Sequence, residues 1–208
     1  MIVVGLTGGI ASGKSTIIKL IRKKNIPVHD SDLCVKRIYQ KPSDSLLFFL
    51  KKIGLKRAIK RRKIDRKKIS NIVFKNKTIL YKLEQHMHMK IEVSRNRFLK
   101  KQRKQRKKMV FLDIPLLFEK KLDYLCDYTF LLFCPIKIRK KRALSRRGMN
   151  IKNFERITKI QLPDKTKIKK ANYVFNTSKS ITRTKIDIFE AIKKINKKRL
   201  HERNNIRH

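Results

Sequence analysis

The sequence predicts an α/β fold, a parallel sheet flanked by helices and interrupted by a helical insert. Three observations predict it. A short β-branched run, Ile2 to Leu6, leads through a glycine-rich loop and a helical pattern to a second apolar run, which makes one βαβ unit. Two later runs, Met109–Leu112 and Tyr128–Phe133, have the length and composition of strands buried on both faces. Between these regions, residues 33–108 contain no convincing strand and much helical spacing.

The elements follow in order. Ile2-Val3-Val4-Gly5-Leu6 is the first strand, Gly8 to Ser15 a turn-rich loop, and Thr16–Lys24 a helix with apolar residues at Ile17, Ile18, Leu20 and Ile21. Asn25 ends that helix, and Ile26–His29 is the second strand, with His29 interrupting its apolar end. Within the insert, Leu80, Leu83, Met87, Ile91, Ser94 and Phe98 recur at three- and four-residue spacing and predict one long helix. Its end, Arg95–Lys108, is dominated by Lys and Arg and reads as a solvated extension. Met109–Leu112 carries Asp113 at its carboxyl end, and Tyr128–Phe133 is the next strand. A basic helix over Ile136–Arg147 stops at Gly148. A helix over 152–160, a short strand around Tyr173-Val174-Phe175 and a charged C-terminal helix complete the chain, with no internal repeat and no low-complexity linker.

Composition narrows the function classes. The 208 residues include 58 Lys plus Arg against 15 Asp plus Glu, a formal net charge of +43. A hydrophobic content of 40% is low for a globular protein but above that of a disordered chain. No apolar run approaches the roughly 20 residues that span a bilayer, and Met1 to Gly5 carry no basic leader, so neither secretion nor membrane insertion is expected. Three cysteines without a CxxC pair point to a reduced, cytoplasmic setting and away from structural zinc. The basic excess suits a phosphate-backbone partner. It is spread along the whole chain, however, and frequent Ile and Asn with no Trp fit a drift toward AT-rich codons equally well.

Gly8-Gly9-Ile10-Ala11-Ser12-Gly13-Lys14-Ser15, between a strand and a helix, fits the phosphate-binding loop pattern GxxxxGK[ST]. Glycines let backbone N–H groups turn inward on a phosphate, and the helix that follows points its positive end at the same anion. Gly8, Gly9, Ala11, Ser12, Gly13, Lys14, Ser15 and Thr16 are the expected nucleotide-binding residues, with Gly9 and Ala11 small where backbone approaches the ligand. Lys14 can bridge β- and γ-phosphates, and the Ser15 hydroxyl can ligate Mg²⁺. Asp30-Ser31-Asp32 closes the second strand; one aspartate can cap the next helix while the other acts, and spacing alone does not separate them. Asp113, ending its strand, is a candidate Mg²⁺ partner or a cap, and Glu119 a surface residue or part of the site. Arg142, Arg146 and Arg147 can cover phosphates, as arginines near small phosphoryl-transfer sites do, although any helix in so basic a chain carries arginines.

Together these motifs resemble the dephospho-CoA kinase family over about residues 2–178. The resemblance rests on Gly5–Thr16, Val28–Asp32, Leu83–His88, Asp113-Ile114-Pro115-Leu116-Leu117-Phe118-Glu119, Arg142 with Arg146, and Gln161. It implies a P-loop NTPase-type fold whose core takes about residues 1–32, 108–135 and 170–208 of a single domain, with a helical CoA-binding insert at about 33–107 and a lid at about 138–165. It implies ATP with Mg²⁺, the latter on Ser15 and Asp113, and transfer to the ribose 3′-hydroxyl of dephospho-CoA. Asp32, Lys14, Arg142 and Arg146 would be catalytic, and Asp32, Arg66, His88, Asp113, Pro115 and Leu116 would face the substrate. It implies a cytoplasmic protein, a monomer or weak homo-oligomer, without a membrane or an obligate nucleic acid. Several positions depart from the family's pattern. Ala11 replaces a glycine, acceptable if its φ is negative; Met89 replaces a proline and Arg139 a glutamine. Asn172 replaces an aspartate and Ser178 a glycine, which puts the adenine side in doubt. A nucleoside or nucleotide kinase on the same scaffold, or a basic nucleic-acid-binding protein, are the alternatives.

Overall fold

In the computed structural model, β1 (Ile2–Gly8) is buried at all seven residues, as expected of a strand at the centre of a parallel sheet. The structure describes residues 1–178 and 180–205; Lys179 and 206–208, which the sequence reading places in the core, lie outside the described residues. The chain divides into two compact units, one formed by Met1–Val28 with Lys107–His208 and the other by His29–Arg106.

In the first unit, β1 is flanked in parallel by β5 (Met109–Asp113) and by β6 (Tyr128–Phe133), and β7 (Tyr173–Asn176) pairs in parallel with β6. The full order is β2-β5-β1-β6-β7, with β2 (Val28–Asp30) at the edge where the chain passes into the second unit. The Phe111 N–H donates to the Pro27 carbonyl at 2.9 Å. The register pairs Leu6 with Asp113 and Gly8 with Leu132, so the carboxyl ends of the three central strands lie side by side. Ile2, Val4 and Leu6 share one face of β1 and pack with Ile17, Ile18 and Ile21 of α1 (Lys14–Lys23) and with Ile188, Ala191, Ile192 and Ile195 of α9 (Ile181–Asn205). Each buried Val, Leu or Ile among them contributes about 1.5–3 kcal/mol. Asn25 stops α1 by taking φ 57°, a left-handed value that asparagine tolerates better than most residues.

Remaining on the first unit are α6 (Ile136–Leu144), α7 (Ile151–Ile160) and α8 (Asp164–Lys170). α6 ends three residues before the predicted Arg147, and α8 was not anticipated; its Lys-rich sequence offers only a short apolar pattern. Asn172 latches two strands at their amino-terminal ends. Its Oδ1 accepts the Thr129 N–H at 2.8 Å and the Thr129 hydroxyl at 2.9 Å.

The second unit contains α2 (Ser31–Gln40), α3 (Asp44–Lys52), α4 (Arg66–Lys75) and α5 (Lys77–Lys104). Asp30, Ser43, Asp65 and Asn76 cap them by accepting backbone N–H groups, each worth about 1 kcal/mol. The core is Leu46, Leu50, Leu55, Ala58, Ile69, Val73, Leu83 and Met87. The expectation of no strand here needs one correction. β3 (Ile59–Lys60) and β4 (Lys63–Ile64) form a minimal antiparallel hairpin, closed by Arg61 and Arg62 at φ 47° and 61°. Such turns favour Asn or Gly, and two arginines give no signal. A second correction concerns α5, whose basic end is not wholly solvated: Arg95, Leu99 and Gln102 are buried. No helix among the described residues is long and apolar enough to cross a membrane.

His29, which breaks the apolar run of β2, is 7% exposed. Its Nε2 lies 3.1 Å from the Ser94 hydroxyl, and its ring sits 5.5 Å from that of Phe98. Burial, then the Arg95 charge, pushes its pKa below the ordinary value of 6.5, against a smaller opposing effect of Asp30. In the unfolded chain the imidazole binds a proton more readily, so the neutral ring's contribution to stability is present above pH 6.5 and is lost as pH falls through the lowered folded value. Denaturant midpoints measured at pH 7.5 and 5.5 are expected to fall on acidification, and to fall less in His29→Gln. An equal fall in both proteins would remove His29 from the account.

Candidate active site

The residues between β1 and α1 fold back on themselves. The Ser12 N–H donates to the Gly9 carbonyl at 3.1 Å, and the Gly13 carbonyl accepts from Thr16 at 3.0 Å and Ile17 at 3.2 Å. Gly13 takes φ 86° at the N-cap of α1, a conformation for which glycine has no steric penalty. No side chain caps α1 and no acidic residue lies in its first turn, so the positive end of the helix is available to an anion. Ala11 contradicts the expected negative φ: it takes φ 59°. That costs about 1–2 kcal/mol for a residue with a Cβ, and the methyl recovers part of it by packing with Ala143 and Phe154.

Lys14 Nζ makes a 2.8 Å ion pair with Asp113 Oδ1. The pairing of Leu6 with Asp113 in neighbouring strands puts this carboxylate beside the start of α1, where it is 2% exposed. The Ser15 and Thr16 side chains are exposed in the same helical turn. Asp113 opens a turn locked to β1: the Ile114 N–H donates to Leu6 O at 3.0 Å, and the Thr7 hydroxyl to Pro115 O at 3.1 Å. Pro115 and Leu116 are partly buried within it. The turn ends on Glu119, whose side chain is buried rather than on the surface. Its Oε1 accepts the Leu162 N–H at 2.9 Å and lies 3.5 Å from Nζ of Lys167, a lysine that is 1% exposed.

The two predicted lid arginines differ in setting. Arg142 is fixed: Nη2 donates to Thr177 O at 2.9 Å, and Nη1 lies 3.6 Å from Cys134 Sγ. Thr177 in turn donates its hydroxyl to Ser12 O at 2.8 Å, so Arg142 reaches the loop through one residue. Arg146 is exposed beyond the end of α6. Thr177, Lys167 and Asp164 are structural members of this site that sequence reasoning did not single out, and Arg139 was noted only as a departure. A hydroxyl or a lysine gives no sequence signal of burial, and spacing could have offered only Arg139 and Arg142, one turn apart on a helix.

On the second unit, the ambiguity between two aspartates is resolved. Asp30 is the cap, accepting the Leu33 N–H at 2.8 Å, and Asp32 is exposed in the first turn of α2. Arg66, first residue of α4, places its guanidinium 5.5 Å from the centre of the Tyr39 ring. Tyr39 lies seven residues, two turns, after Asp32, hence on the same side of α2. Burial pushes the Tyr39 phenol above 10.0, and Arg66 opposes that shift. His88 is exposed on α5, whereas His86 stacks on Phe49 at 3.9 Å between ring centres. Burial and then Lys90 lower the His86 pKa.

Comparison with known proteins converges. A family model described as dephospho-CoA kinase matches residues 2–183. A dephospho-CoA kinase from Bartonella quintana is 34% identical over 94% of this chain and 98% of its own, and one from Fusobacterium nucleatum is 34% identical over 93% and 96%. The solved dephospho-CoA kinase from Campylobacter jejuni superimposes with a TM-score of 0.71 at 25% identity, over 95% of this chain and 98% of that one. A Thermus thermophilus protein gives a TM-score of 0.77 at 27% identity, over 92% and 95%.

The Glu119–Lys167 pair generates a stability prediction. Glu119→Ala leaves a buried ammonium without its partner and is expected to cost about 3–5 kcal/mol in chemical denaturation. Adding Lys167→Met removes the stranded charge and is expected to restore part of that loss. A single variant within about 0.5 kcal/mol of wild type would show that the pair is not holding the turn to α8.

Proposed function

The chain belongs to the dephospho-CoA kinase family, and we propose that it phosphorylates the ribose 3′-hydroxyl of dephospho-CoA with ATP as donor, releasing CoA and ADP. The observation that carries this reading is the Lys14–Asp113 pair beside a phosphate loop, in a chain similar along nearly its whole length to relatives named for that reaction.

Loop N–H groups and the N-terminus of α1 hold the donor's phosphates, and Lys14 exchanges Asp113 for oxygens of the β- and γ-phosphates. The hydroxyl oxygen attacks the γ-phosphorus, forming one P–O bond as the bond to the β–γ bridging oxygen breaks. Asp32 takes the hydroxyl proton; its exposure and its freedom from capping support that role. Arg146, unanchored, meets charge developing on the phosphoryl group, while Arg142 acts from a fixed position through Thr177. Arg66, His88, Pro115 and Leu116 recognise the acceptor. The residues present suit Mg²⁺: a carboxylate oxygen from Asp113 and a hydroxyl from Ser15 are hard donors in the neighbourhood of the loop, and Mg²⁺ takes few protein ligands because phosphates and water complete its shell. Bound there, the ion neutralises phosphate charge.

A coupled assay of ADP release, comparing dephospho-CoA with nucleosides and nucleoside monophosphates, tests the reading; dephospho-CoA is expected to be the preferred acceptor. A preference for any nucleoside would replace it with the nucleoside kinase alternative. Lys14→Ala is expected to lower kcat by at least about 10²–10³-fold in a protein that still folds. Asp32→Asn is expected to lower kcat about 10²–10⁴-fold with ATP binding retained; an unchanged kcat would reduce Asp32 to a surface residue of α2.

A further inference from the structure

The phosphate loop is held almost residue by residue from the chain after β6. The Ile10 N–H donates to Gln161 Oε1 at 3.1 Å, the Ala11 methyl packs with Ala143 and Phe154, and Ser12 O accepts the Thr177 hydroxyl. Gly9 is met in another way. The Arg139 guanidinium lies against it so closely that a Cβ added there would overlap Nη1 and stand 2.8 Å from Cζ and 3.3 Å from Nε. Two acceptors fix that guanidinium: Nε donates to Cys134 O at 2.8 Å, and Nη2 to Asp164 Oδ2 at 2.7 Å. Arg139 is 3% exposed. Gly9 does not have a positive φ, so left-handed backbone strain is not what calls for glycine there, whereas the space taken by Arg139 is. Arg139 gives a reason for a glycine here that is separate from the ligand's approach.

We infer that Arg139 is a positioning residue for the phosphate loop, that Gly9 is glycine in order to admit it, and that Asp164 and the Cys134 carbonyl hold it in place. A planar guanidinium can lie against a peptide while two bonds in its own plane run to anchors on either side; a lysine ammonium offers neither the flat face nor the fork. Arg139 thereby presses the loop into shape before a nucleotide arrives, and less ordering is left to be done on binding. The inference rests on the reading of this loop as the ATP site.

The test uses the full-length protein, with Gly9→Ala, Arg139→Ala and the double variant compared for ATP binding by calorimetry and for KM of each substrate. Gly9→Ala alone is expected to weaken ATP binding by about tenfold or more, and Arg139→Ala by a few-fold, with KM for ATP rising and KM for the acceptor unmoved. In the double variant the added methyl has room, so binding is expected to match that of Arg139→Ala. Arg139→Lys is expected to behave like Arg139→Ala. If Gly9→Ala costs as much without Arg139 as with it, the glycine serves the ligand and the inference is overturned. Should Arg139→Ala fail to fold, the comparison runs in Asp164→Asn, where a less firmly anchored guanidinium can yield and Gly9→Ala is expected to cost less; an undiminished cost there also overturns it. Failure of the wild-type protein to bind ATP would instead remove the underlying reading of the site.

Discussion

A loop that keeps backbone N–H groups for a phosphate has few left with which to stabilise itself, the Ser12 N–H to Gly9 O among them, and this constraint organises the first unit. The sheet meets half of it. β1 is buried along its length and pairs in parallel on both sides, so the strand that delivers the chain to Gly9 has almost no freedom. The other half comes from beyond β6. Arg139, Gln161, Ala143 with Phe154, and Thr177 each meet a different loop residue. The stretch expected as a lid also carries, in Arg139, Ala143, Phe154 and Gln161, side chains that meet the loop. Arg146 is exposed and stands outside these contacts.

The same logic accounts for Ala11. A left-handed alanine is costly, yet its methyl enters a small apolar cluster that a glycine could not reach. The loop thus trades backbone comfort for one more outside attachment. At the Gly13 turn the left-handed residue is glycine, which bears no Cβ penalty there.

Much of this fold was legible because its strands are buried on both faces and so read as plain apolar runs; Tyr128–Phe133 begins and ends where the pattern says. The phosphate loop was legible because its spacing is set by covalent geometry around a phosphate. What escaped was of two kinds. The Arg61–Arg62 turn adopts positive φ without the residues that announce it. The second kind is burial of charge. Arg95, Arg139 and Lys167 are buried among residues of identical type that face water, and no periodicity distinguishes them, because one-dimensional pattern measures apolar faces and treats every cation as solvent-seeking. Asp30 and Asp32 make the same point with acids: two residues apart, they divide into cap and exposed carboxylate only when α2 is seen to start at Ser31.

The net charge of +43 is therefore better read through its minority. Cations outnumber acids 58 to 15, so an arbitrary cation says little, whereas a carboxylate held inside the structure must have a partner to be tolerated. In the first unit the buried carboxylates Asp113 and Glu119 pair with Lys14 and Lys167, and the half-buried Asp164 pairs with the buried Arg139, where the chemistry is proposed or where the loop is held. Each removes one cation from the uniform positive background and gives it a fixed direction. A general excess of Lys and Arg raises the local concentration of any anion but cannot orient one. Orientation comes from the few cations that acids pin down, which is why the scarce residue type marks this site better than the abundant one.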